Sequence, residues 1–123
     1  METSAVHLIL SAVEKSKFQL VWSPVHLKEI EATANEVERA ELLYLIAKTQ
    51  SRSEHNTLLT RNRAEFFVSK GLGIADAAHL AYSESFQAEL ITCDDKFAKK
   101  SKTITPAIWV GNPVAFCEKE ELL

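Results

Sequence analysis

The stretch from Ile74 to Asp94, IADAAHLAYSESFQAELITCD, carries the pattern that decides how the rest of the chain is read. Ile74, Ala77, Ala78 and Ala81 recur at i, i+3, i+4 and i+7, the period of a helix. This stripe of small residues lets the helix press closely on a sheet. Gly71-Leu72-Gly73 supplies a turn before it, and Ala88 to Cys93 follows as a strand that runs into Asp94. Strands separated by helices need crossover connections, and crossovers build parallel sheets covered on both faces.

Toward the carboxyl end, Asp94 to Lys100 reads as a short helix or turn and Ala107 to Val110 as a last strand. Asn112-Pro113 opens a closing helix. Toward the amino end, Ala5, Leu8, Ile9, Ala12 and Val13 give an amphipathic helix, and Phe18 to Trp22 is a short run of strand formers. Ser23-Pro24 then pairs an N-cap with a proline at the first helical position, so a helix runs from Pro24 to about Ala34. A further helix is expected over Glu36 to Lys48, a polar loop over Gln50 to Asn56 and a short extended piece at Thr57 to Leu59. Thr60 caps a helix that Gly71 ends. The expectation is one α/β domain over residues 1–123, with no internal repeat, low-complexity tract or linker.

Composition sets outer limits. At 123 residues the chain is one domain's worth, since domains centre on roughly 100 to 150 residues. With 46% hydrophobic and 25% charged residues, neither disorder nor a fibrous repeat is indicated. The longest apolar runs, such as Leu42 to Ala47, are far short of the ~20 residues that cross a bilayer, and no signal peptide is read, so a cytoplasmic protein is expected. Cys93 and Cys117 have no zinc-ligand spacing and read as structural thiols. A net charge of -3 argues against a surface that is basic throughout, but Lys96, Lys99, Lys100 and Lys102 form a local basic rim just after Asp94 and Asp95.

Three carboxylates stand where chemistry is favoured. Glu29 is on the helix after the Phe18–Trp22 run, and Asp76 is in the first turn of the alanine-striped helix. Asp94 is at the carboxyl end of a strand, the edge at which open parallel sheets bind ligands. Carboxylates gathered there repel unless a cation compensates. Oxygen ligands without matched histidine or thiolate favour Mg2+ or Mn2+, which activate water and stabilise a phosphate under attack. Each acid also has a plain structural reading: Asp76 as a helix N-terminal acid, Asp94 as an N-cap, and Glu29 as a solvated helix residue. His79, one turn from Asp76, is a candidate to steady it, against simple packing. His7, His26 and His55 show no ligand spacing, and Trp22 and Trp109 read as core strand residues.

Several of these strings resemble the conserved blocks of PIN domains. Ser23-Pro24-Val25-His26-Leu27-Lys28-Glu29-Ile30 is similar to the second block and Gly73-Ile74-Ala75-Asp76-Ala77-Ala78-His79-Leu80-Ala81 to the third. Leu90-Ile91-Thr92-Cys93-Asp94 is similar to the fourth, and Trp109-Val110-Gly111-Asn112-Pro113 resembles the last strand and its exit. The resemblance implies a three-layer sandwich, a parallel sheet flanked by helices. It also implies Glu29, Asp76 and Asp94 as catalytic and metal-ligating acids, Thr92 as a polar helper, and an endoribonuclease of the VapC toxin type using Mg2+ or Mn2+. RNA would be the substrate, with Lys96, Lys99 and Lys100 as candidate backbone contacts. An antitoxin protein is the implied partner and a homodimer the implied assembly.

The resemblance lacks one part. The family's opening central strand, which ends in Asp-Thr-Asn and carries the first catalytic acid, has no counterpart, and Glu2 belongs to the following helix. An empty central slot would forfeit much of a domain's margin of about 5 to 15 kcal/mol. The gap is therefore expected to be closed by sheet rearrangement, by an element exchanged in a dimer, or by residues encoded upstream. The competing function is a degenerate, catalytically inactive PIN-like domain acting through protein contacts. A phosphoacceptor receiver, suggested by Asp94-Asp95 and the later lysines, has its motifs in the opposite order.

Overall fold

Helices begin where the sequence supplies caps. Asp94 Oδ1 accepts the Lys96 and Phe97 amides at 3.0 and 3.1 Å, and Asn112 Oδ1 accepts the Ala115 amide at 2.7 Å. Pro113, like Pro24, occupies an early helical position where its missing N–H costs nothing. The computed structural model describes residues 2–48 and 57–123. Its helices are α1 (Glu2–Glu14), α2 (Pro24–Glu31), α3 (Glu36–Lys48), α4 (Thr57–Ser69), α5 (Ile74–Phe86), α6 (Asp95–Ile104) and α7 (Pro113–Lys119). Strands β1 (Leu90–Ile91) and β2 (Val110–Gly111) pair in parallel, Leu90 opposite Val110 and Ile91 opposite Gly111, with α6 as the crossover. The α/β class and the parallel pairing are as the sequence predicts.

The larger core joins Phe67 of α4, Ala77, Leu80 and Ala81 of α5, Phe97 and Ala98 of α6, and the strand residues Leu90 and Val110. The α5 stripe is shifted from its predicted register. Ala77 and Ala81 are buried with Leu80, whereas Ile74 is 82% exposed. A helical face is set by the surface it meets, and α5 lies along α4 as well as the sheet. Arg63 fastens that pairing, donating to both carboxylate oxygens of Glu84 at 2.6 and 3.1 Å while its guanidinium lies over the Phe66 and Phe67 rings. The second cluster clasps α1 to α7 through Ala5, Ile9, Phe116 and Cys117, and the Cys117 thiol donates to the Ala5 carbonyl at 3.4 Å. Burial pushes that thiol pKa up, in keeping with a structural cysteine.

Several local expectations are corrected. Thr57 to Leu59 is the first turn of α4, not an extended piece, and Thr60 is buried inside that helix instead of capping it. Three residues of strand pattern cannot outweigh a helix able to seat Phe67 in the core. The last strand begins at Val110 instead of Ala107, because Pro106 and Ala107 form a turn. The penultimate strand shortens to Leu90–Ile91, the helix after Asp94 extends to Ile104, and α2 ends at Glu31. The loop predicted over Gln50 to Asn56 lies outside the described residues. Trp109 precedes β2 and packs edge-on against Phe116. Its indole also stands against Gly111, where an added Cβ would meet it at 2.7 Å.

The largest correction concerns Phe18 to Trp22. Among the described residues this run pairs with no strand, and β1 has β2 as its one partner. The sheet has not rearranged to close the gap. A cavity of about 370 Å³ lies between the Phe18–Ser23 segment and β1, walled by α1, α5 and Phe116. Strand formers without a free backbone edge within hydrogen-bonding distance stay irregular, since a ladder needs spacings near 4.8 Å.

Candidate functional site

Each acid sits on the element predicted for it. Glu29 is exposed on α2, Asp76 is half-buried in the first turn of α5, and Asp94 follows β1 and is exposed. Asp94 does the work of an N-cap, as its structural reading has it, and Thr92 Oγ1 accepts the Asp94 amide at 3.1 Å, holding the turn that presents the acid. The three are not gathered. Among the described residues no three His, Cys, Asp or Glu side chains stand close enough to hold a metal ion, so the acids as arranged do not fit a divalent cation.

His79 acts differently from the prediction. Its Nε2 lies 2.9 Å from Oε1 of Glu29, so it binds the acid of α2 and not Asp76 of its own helix. The bond links helices that pack together and brings Glu29 to the side of α5 that bears the histidine. Behind it stands His26, whose ring centroid is 4.4 Å from that of His79. The Ser23 amide donates to His26 Nδ1 at 3.1 Å, with Ser23 Oγ 3.2 Å from the same nitrogen, which leaves the proton of the neutral ring on Nε2. Burial first, then the neighbouring His79, lowers the His26 pKa from 6.5 to about 4, with Glu29 pulling the other way.

His26 has no ligand spacing in the sequence. The signal was there in another form, because a residue three positions after the N-cap Ser23 is the one able to reach back to its amide. Of the lysines, Lys100 donates to the Gly71 carbonyl at 3.2 Å, while Lys96 and Lys99 are exposed on α6. His55 lies outside the described residues. Among the described residues, no helix is long and apolar enough to cross a membrane.

The structure is an α/β body with a parallel strand pair, an acid at the carboxyl end of β1 and further acids on the adjoining helices. The model of the PIN domain family matches residues 5–103, and the chain belongs to that family. No curated protein and no solved structure matches it.

Proposed function

We propose that this chain is a PIN-type ribonuclease body of the VapC-like, toxin–antitoxin kind whose RNA-hydrolysing site is not assembled in the chain by itself. The observation that carries this reading is that Glu29, Asp76 and Asp94 stand on α2, α5 and the end of β1 in the family's order, yet among the described residues no three acids gather. A cluster that must share one ion needs its oxygens within about 2 to 2.6 Å of a common point, and a further acid on a missing element would supply both charge and alignment. In this reading the protein is cytoplasmic, its fold is completed to a three-layer sandwich, and Mg2+ or Mn2+ is bound only then. Lys96 and Lys99 on α6 would meet the RNA backbone, and an antitoxin protein and a second copy are the expected associates.

The second reading is an endoribonuclease active as it stands. It is favoured by the His79–Glu29 bond, which draws one acid toward the helix that carries another. Cleavage of labelled RNA in Mg2+ or Mn2+, with chelator and Asp76→Asn as controls, separates the two. We expect no cutting above the Asp76→Asn background. Metal-dependent cutting that this substitution abolishes would establish the second reading instead.

A further inference from the structure

The end of α4 and the exposed side of α6 are joined by one lysine. Lys100 Nζ donates to the Gly71 carbonyl at 3.2 Å, and Gly71 directly follows Lys70, so the two helices share a surface there. Lys96 stands one turn before Lys100 on the same face of α6, next to the carboxyl end of β1. Lys70, Lys96 and Lys99 are exposed, and among the described residues none of them forms an ion pair with a carboxylate. Beyond Asp95, α6 carries no acid.

An aromatic ring closes the far end of this row. Of the neighbouring pair Phe66 and Phe67, the second is fully buried and the first is 40% exposed. Lys70 follows Phe66 by one turn, with its Nζ 5.3 Å from the ring centroid. The Arg63 guanidinium also lies over that ring, at 4.9 Å, but Glu84 holds it through two hydrogen bonds, so it is a fixed support whose charge is already compensated. Lys70 is different: a point charge on a flexible stem swings aside for a planar group arriving on the ring and then meets an anion beside that group.

A flat apolar ring next to uncompensated ammonium groups calls for a partner with flat faces and repeated negative charge. An apolar segment would cover Phe66 and leave the lysines without a counter-charge. An acidic peptide would satisfy the lysines and bring nothing to stack. A single strand of nucleic acid supplies a base and a phosphate at every step. A duplex keeps its bases stacked inside and offers the ring no face.

We propose that this surface holds an unpaired flank of the RNA, one base stacked on Phe66 and the backbone running over Lys70 and Lys96 toward the strand end at Asp94. This deepens the ribonuclease reading and rests on it for RNA as the substrate. It places a preference for unpaired RNA outside the acids, at the end of α4.

The test is fluorescence anisotropy of a labelled RNA single strand of about twelve nucleotides, mixed with the full chain in chelator so that nothing is cut. The single strand is expected to bind roughly tenfold or more tightly than the same strand annealed to its complement. Phe66→Leu, which keeps apolar bulk and whose fold is checked by a thermal melt, should weaken binding about tenfold. Lys70→Gln should reduce the slope of log Kd against log salt by about 0.7. Unchanged binding by Phe66→Leu, equal binding of single strand and duplex, competition by oligoglutamate as strong as by unlabelled RNA, or no binding at all would each overturn the proposal. Because binding is read without metal, these results stand apart from the cleavage assay with Asp76→Asn, which decides the ribonuclease reading by itself.

Discussion

Nε2 of His79 and Oε1 of Glu29 meet at 2.9 Å, fifty positions apart in sequence, and so join α2 to α5. The histidine side chain is 13% exposed and the carboxylate 55% exposed, so the bond has one foot in water. Polar contacts so open to solvent contribute little, about 0 to 1 kcal/mol. Glu29→Gln, which keeps an acceptor oxygen, is expected to shift urea-unfolding stability by less than about 1 kcal/mol. A larger loss would mean that the contact anchors α2.

His26 makes stability fall in acid. Its folded pKa of about 4 lies below the unfolded value near 6.5, so the neutral form is the one the fold favours. Its contribution is complete above pH 6.5 and is lost as pH drops from there through about 4, a change of roughly 3 kcal/mol at ~1.4 kcal/mol per unit. The groups facing it are His79 and Glu29. Urea unfolding of the wild type and of His26→Asn between pH 7.5 and 4 should give curves that converge in acid. Parallel curves would show that His26 is not buried as a neutral ring.

Asp94 is needed as a cap whatever its chemistry. Asp94→Ala should cost about 1 kcal/mol, while Asp94→Asn, which retains an accepting oxygen, should cost only a few tenths. Thermal or urea melts without added metal measure both, and equal losses would refute the capping role.

Phe67 is completely buried where α4, α5 and the strands meet. Phe67→Ala is expected to cost roughly 3 to 5 kcal/mol, a large part of a domain's total margin. The urea midpoint should fall with the slope unchanged, and a change under 1 kcal/mol would mean that α4 is not part of the folding core.

What the sequence made legible was mostly local. Ser23-Pro24, Asp94 and Asn112-Pro113 mark helix starts because capping is a matter of a few neighbouring atoms. The element bearing each acid was readable from local pattern, and the parallel pairing from the alternation of strands with helices, which forces crossovers. What depended on distant partners was not. Ile74 matched the α5 stripe by spacing yet faces solvent, since α4 decides which side is buried. Phe18 to Trp22 had strand composition but pairs with no strand among the described residues. His79 was near Asp76 in sequence, but Glu29 arrives from another helix and takes its Nε2. Spacing could name the three acids but could not say whether they converge.

Gly111 and Trp109 together also restrict how this protein can vary. An added Cβ at position 111 would lie 2.7 Å from the indole Cη2 and Cζ2 atoms, closer than real Cβ contacts come. The indole is held from behind by Phe116 and covered by the Lys119 ammonium, so it has little freedom to swing aside. Drift at these two positions is therefore coupled: in a randomised library, alanine or larger at 111 should survive only in clones where 109 has lost its ring.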